Sequence, residues 1–219
     1  AQANHELKPE KMTQEKLAAI EQAADEVYAE MASTGDDDVS LSLTCIDPHT
    51  GYVLAMIGGR DWETSQFNLA TSASGRQAGS SFKAFTVAAA IEQGISPRTA
   101  IDCSTGYENP AWPEPVTNYG GANYGNLSIE NMTWVSANTG FARLLTDPDG
   151  VTPQSLLDMA ERLGISGEAR YGYGAYPALT LGAAQTNTLR MASAYGVFAT
   201  GGARYADTCI TEVLASDGT

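Results

Sequence analysis

Near the start of the chain, Leu17, Ile20, Ala24, Val27, Tyr28 and Met31 recur at three- and four-residue spacing, the period of one helix face. This predicts an amphipathic helix over roughly 13–33. Val39, Leu41, Leu43 and Cys45 then alternate with polar residues, Asp47-Pro48-His49-Thr50-Gly51 supplies turn chemistry, and Tyr52 to Ile57 form an apolar run. A β-hairpin follows from that pattern. The segment from Arg60 to Gly79 is a polar excursion. Ser80 or Ser81 is placed to cap the next helix, which runs through Phe82, Phe85, Val87, Ala88 and Ile91 to Gly94, ahead of Pro97. That helix reads as apolar nearly all round and hence central.

From Ser96 to Asn126 the chain is loop-rich, with Pro110, Pro113 and Pro115 and no periodicity. Helices resume at Ser128. Thr152 as N-cap, Pro153 at the first helical position and Gly164 just past the end frame another helix, with Leu156, Leu157, Met159, Ala160 and Leu163 as its core contacts. A further helix spans about Thr188 to Ala199 and stops at Gly201 and Gly202. Cys209 to Leu214 read as a strand, and Ser216-Asp217-Gly218 as a hairpin turn whose returning strand would follow Thr219.

Composition narrows the function classes. At 219 residues with 43% hydrophobic content the chain supports one globular unit over 13–219 behind a loose polar leader at 1–12. Twelve Lys and Arg against 26 Asp and Glu give a formal charge of −14, which repels nucleic acid. The one dense acidic run, Asp36-Asp37-Asp38, follows Gly35 and reads as a solvated turn. No apolar stretch is long enough to span a membrane. Cys45, Cys103 and Cys209 fit neither a disulfide framework nor a zinc site, so buried thiols are expected and no metal or cofactor is implied.

The candidate chemistry lies at Ser80 and Lys83. A serine hydroxyl needs an adjacent base to attack a carbonyl. His5 sits in the leader and His49 in a tight turn, which leaves a Ser-His-Asp triad poorly served. The only lysines besides Lys83 are Lys8, Lys11 and Lys16. Three residues apart on a helix, Ser80 and Lys83 share a face. Burial among Phe82, Phe85 and Val87 is expected to lower the lysine pKa. The spacing alone is weak, since Ser80 also reads as a plain helix cap. Ser136 and Asn138 form the second element, on a break between two short helices, where a hydroxyl can relay protons and an amide can hold a lysine or a substrate carbonyl.

In order, Asp47-Pro48-His49-Thr50-Gly51-Tyr52-Val53-Leu54-Ala55-Met56-Ile57-Gly58-Gly59, Arg76-Gln77-Ala78-Gly79-Ser80-Ser81-Phe82-Lys83, Asn118-Tyr119-Gly120-Gly121, Ser136-Ala137-Asn138-Thr139 and Met191 to Gly202 resemble the penicillin-binding transpeptidases, especially the bifunctional high-molecular-weight kind. The resemblance implies an α+β fold of the β-lactamase/transpeptidase type, an antiparallel sheet flanked by helices plus a helical lobe, incomplete at its C-terminal end. It implies Ser80 as the acylated nucleophile, Lys83 as its base, Ser136 as proton relay to the leaving amine, and Asn138 as the group orienting Lys83 and substrate.

The implied partners are peptidoglycan stem peptides and their lipid-linked precursors, β-lactam antibiotics, and a missing C-terminal segment of the same domain. The implied place is the extracytoplasmic face of a bacterial membrane. Two departures stand out. Ala78 and Ala84 replace the family's usual prolines. The Lys-Thr-Gly motif also has no counterpart here, because no lysine follows Lys83; His49-Thr50-Gly51 is turn chemistry. The expectation is therefore a D,D-transpeptidase domain that is weak or inactive as this piece alone. A β-lactam sensor or scaffolding module, and a class A β-lactamase or D,D-carboxypeptidase, are the alternatives.

Overall fold

The computed structural model describes residues 14–33, 40–72, 75–168 and 171–210. The leader, the Asp36–Asp38 run, Val39 and the expected strand and turn beyond residue 210 lie outside these. Element order is α1 (Gln14–Ser33), β1 (Leu43–Ile46), β2 (Val53–Ile57), β3 (Arg76–Gln77), a 3-10 turn (Gly79–Phe82), α2 (Lys83–Glu92), β4 (Ala100–Asp102), β5 (Asn126–Ser128), α3 (Ile129–Trp134), α4 (Asn138–Thr146), α5 (Pro153–Arg162), a 3-10 segment (Pro177–Leu181), β6 (Gln185–Thr186) and α6 (Thr188–Ala199). A short 3-10 turn also spans Tyr119–Gly121. The described residues form two compact units, one before residue 76 together with those from 187 onward, the other within 76–186.

The first unit contains the predicted hairpin. β1 and β2 pair antiparallel, with Cys45 opposite Ala55 and a bulge between Cys45 and Ile46. The connection closes because Gly51 takes φ 77, where its amide donates to Asp47 O at 2.9 Å, and the Asp47 carboxylate accepts from His49 N at 2.9 Å. α6 packs on β1, and the Thr44 and Thr188 hydroxyls bond at 2.9 Å. Asn187 caps α6 by accepting from Arg190 N at 2.9 Å, and Gly202 closes it by donating to Val197 O.

On α1 the predicted face is only partly realised: Ala24 and Tyr28 are buried, whereas Val27 is 40% exposed. Tyr28 is the anchor, its hydroxyl donating to Leu41 O at 2.9 Å beneath the Arg60 guanidinium, which stacks 4.6 Å from the ring centre. Of the expected strand over Cys209 to Leu214 only Cys209 and Ile210 are described; they follow a single parallel bridge from Thr208 to Tyr52. Cys209 is exposed and Cys45 half-buried, so of the three thiols expected inside only Cys103 is buried.

The second unit is built on Phe82, Phe85, Ile129, Met132, Phe141, Leu144, Leu156, Ile165 and Leu179, all nearly or fully inaccessible. Each fully buried side chain of this size contributes about 1.5–3 kcal/mol. α2 packs against α3, α5 and the 177–181 segment. Its Ile91 is 53% exposed, so the helix is less enclosed than its sequence implies. Thr152 caps α5 as the sequence predicts, accepting from Ser155 N at 3.1 Å, and Ser128, where the sequence has helices resume, caps α3 by accepting from Asn131 N at 3.1 Å. Two strand pairs arise that the sequence pattern does not predict: β4 with β5, and β3 with β6, both antiparallel. Tyr107 and Val116 add an antiparallel bridge.

Candidate active site

The site residues all belong to the second unit. The segment leading to Ser80 is fixed by backbone contact. After β3 has paired with β6, Ala78 N donates to Ala184 O and Gly79 N to Gly182 O, both at 3.2 Å. Gly79 and Gly182 take φ 57 and 75, and a Cβ at Gly182 would fall on the Gly79 backbone itself. Only glycine fits there. The chain then turns through Gly79–Phe82, and Lys83 N donates to Ser80 O as α2 begins.

Neither Ser80 nor Ser81 caps this helix: the cap positions carry no side-chain bond, and the Ser81 hydroxyl donates back to Ala78 O at 2.6 Å. The 3-10 turn displaces the cap, because its own three-residue bonds satisfy the amides a cap would serve. Ser80 is thus exposed, one turn before a buried lysine.

Lys83 is 3% exposed. Its ammonium donates to Ser136 O at 2.8 Å, Ser136 Oγ at 2.9 Å and Asn138 Oδ1 at 2.7 Å, and lies 5.3 Å from the centre of the Phe141 ring. Three N–H donors meet three acceptors. No carboxylate pairs with it among the described residues, so burial prevails and pulls its pKa from the ordinary 10.5 down to about 8. The sequence places Lys83 within reach of Ser80. In the structure its three protons point instead to the Ser136–Asn138 break, leaving Ser80 outside the network.

That break has an unusual backbone. α3 ends as Val135 N and Ser136 N donate to Asn131 O and Thr133 O, and α4 starts at Asn138. Ser136 is the one non-glycine with positive φ among the described residues, at 53°. An L-residue held there costs on the order of 1–2 kcal/mol. This conformation directs both its carbonyl and its hydroxyl at Lys83. Asn138 in turn donates from Nδ2 to Thr117 O at 3.0 Å, so its amide has one orientation that serves both neighbours.

Asn118, read in the sequence only as part of the run Asn118-Tyr119-Gly120-Gly121, has no role there. It is 3% exposed, and its side chain accepts from Thr139 N and Thr139 Oγ1 at 3.1 Å each while donating to Cys103 O and Ala122 O at 2.9 Å each. Asparagine before Tyr-Gly-Gly looks like turn chemistry in sequence, and only its burial distinguishes it.

An exposed serine before a buried, neutralisable lysine that is bonded to a serine and an asparagine on a neighbouring helix break is an arrangement suited to acyl transfer. The chain belongs to the penicillin binding protein transpeptidase domain family, which it matches over residues 41–215. It is 31% identical over 210 residues to penicillin-binding protein 1A of Mycobacterium tuberculosis, covering 90% of this chain and 24% of that protein. It is 34% identical over 170 residues to penicillin-binding protein 1A of Rickettsia felis, covering 75% of this chain and 20% of that one. The chain therefore spans about a quarter or less of the length of these curated relatives.

Among solved structures, PonA1 of Mycobacterium tuberculosis in complex with penicillin V superposes with TM-score 0.70 at 28% identity, over 95% of this chain and 62% of that one. The α+β fold of the penicillin-binding transpeptidases is thus the fold of this chain. No helix among the described residues is long and apolar enough to cross a membrane.

Proposed function

We propose that this chain carries the acyl-transfer site of a peptidoglycan D,D-transpeptidase, with Ser80 as nucleophile, Lys83 as base, Ser136 as proton relay and Asn138 as the group that orients the lysine and the substrate carbonyl. The observation that carries the reading is the buried Lys83, brought to about 8 and tethered to Ser136 and Asn138. A neutral amine has two N–H bonds and one lone pair. The Ser136 and Asn138 carbonyl-type oxygens can only accept, so they retain the two N–H bonds. The lone pair is left for a hydroxyl, that of Ser136 or of Ser80.

Ser80 Oγ attacks the carbonyl carbon of the terminal D-Ala-D-Ala amide as its proton passes to Lys83 Nζ. Collapse of the tetrahedral intermediate breaks the C–N bond, and the proton moves through Ser136 to the departing D-alanine amine. An amine of a second stem peptide then displaces Ser80 to form the cross-link, and water in its place makes a carboxypeptidase. A β-lactam offers the same amide within a ring and stays attached after opening. The substrate class places the site on the outer face of the cytoplasmic membrane.

A fluorescent penicillin is expected to label the full-length protein that carries this chain, and Ser80→Ala to abolish labelling. Undiminished labelling of that variant sinks the assignment. Rapid turnover of the penicillin instead of a stable adduct assigns a β-lactamase.

A further inference from the structure

Within the stretch 117–121 only Asn118 is buried; Thr117, Tyr119, Gly120 and Gly121 are exposed. Gly120 and Gly121 take φ 62 and 71, so the chain reverses immediately after the asparagine. One residue therefore pins this loop. Its side chain has two donors and two acceptor positions, and all four are used. The two donors reach Cys103 O beside β4 and Ala122 O after the turn, and the oxygen holds the amide and hydroxyl of Thr139 in the first turn of α4. The Asn118 backbone amide also donates to Thr105 Oγ1 at 3.3 Å.

The consequence falls on the neighbouring peptide. Thr117 O, next to this anchor, is the acceptor of Asn138 Nδ2. A carbonyl there requires an NH2 from Asn138, which leaves Oδ1 as the atom facing Lys83. A flipped amide would set NH2 against an ammonium and oxygen against oxygen. Both ends of the Asn138 amide are thereby specified, one by the lysine and one by a loop that Asn118 fastens to α4.

We propose that Asn118 is a positioning residue for the Lys83 site, acting through Thr117 and Thr139 to fix the Asn138 amide with its oxygen on the lysine. The inference rests on the reading of Lys83 and Asn138 as working groups and adds to it the residue that orients them. Lys83 has no charged neighbour within ion-pair distance among the described residues; Ser136, Asn138 and the Phe141 ring are what it meets. Loss of Asn118 frees the Asn138 oxygen, and the ammonium loses an acceptor that favours its charged form.

The test is a double-mutant cycle read on Lys83 itself. The chain has four lysines, Lys8, Lys11, Lys16 and Lys83, so lysine labelled with 13C at Cε gives a short spectrum in which Lys83 is assigned by Lys83→Arg. Asn118→Ala is expected to lower the Lys83 midpoint by about 0.5 unit or more, and to leave it within about 0.2 unit when Asn138 is already alanine. Equal shifts in both backgrounds, or none in either, overturn the proposal. A purely structural role predicts one of those two outcomes.

If Asn118→Ala unfolds by circular dichroism, Thr139→Val removes only the hydroxyl donor and Thr139→Ser restores it. A folded Thr139→Val chain with an unmoved midpoint overturns the proposal equally. None of these readouts depends on acylation. Intact coupling with no penicillin labelling at Ser80 in the full-length protein defeats the transpeptidase reading and leaves the positioning role standing.

Discussion

Acylation of the full-length protein should follow the neutral fraction of Lys83. With the lysine at about 8, roughly a tenth is neutral at pH 7, against roughly 0.03% for a lysine at 10.5. Burial thus raises the available base about 300-fold at pH 7. The three acceptors and the Phe141 ring oppose this by favouring the ammonium, but they are neutral groups, and among the described residues no carboxylate pairs with it. Stopped-flow acylation by a penicillin should rise about tenfold per pH unit up to pH 7 and flatten above roughly pH 8.5. Lys83→Arg, charged throughout, should remove both the rate and the rise. A flat profile between pH 6 and 8, or a rise that continues unbroken to pH 10, refutes Lys83 as the base.

The same shift has a stability signature of definite sign. A lysine whose folded pKa lies below its unfolded value binds fewer protons folded than unfolded between pH 8 and 10.5. The burden of burying the ammonium is fully present below pH 8 and is relieved as pH rises through that window. The urea midpoint should therefore increase from pH 7.5 to 9.5 relative to Lys83→Met, in which the contribution is absent. A falling difference contradicts the burial argument.

Three further outcomes test the scaffold around the site. Ser136→Gly relieves the φ of 53° and should raise or preserve the melting temperature, while lowering the penicillin acylation rate about tenfold or more through loss of the hydroxyl; a drop in stability counts against the strained-serine account. Gly182→Ala should cost about 2 kcal/mol or more by chemical denaturation and slow acylation, since its Cβ meets the Gly79 backbone next to Ser80; a neutral effect on both is incompatible with that contact. Thr86 and Thr180, both fully buried, bond to each other at 2.8 Å. Thr86→Val should cost about 1–3 kcal/mol and Thr86→Val with Thr180→Val markedly less; an additive double variant refutes the pair as a unit.

What the sequence made legible is local, and the reason is physical. Thr152, Pro153 and Gly164 frame α5, and Asp47 to Gly51 close the hairpin, because caps and turns depend on atoms a few residues apart. β4 with β5 and β3 with β6 escaped because strands of two or three residues show no alternation; their partners are chosen by packing. The same division runs through the site. Spacing and family order point to Ser80, Lys83, Ser136 and Asn138, whereas the bonds of Lys83 span 53 and 55 residues. Spacing put Lys83 beside Ser80, and the fold gave its protons to Ser136 and Asn138. The latter arrangement is the chemically useful one. A lysine whose donors are held by two carbonyl-type oxygens and a hydroxyl can lose a proton without losing its place, because the hydroxyl alone can reverse from acceptor to donor. Ser136 supplies that hydroxyl from a backbone conformation no sequence pattern announces, and Asn118, which reads as a turn residue, fastens Thr139, the residue after the Asn138 amide that faces the lysine.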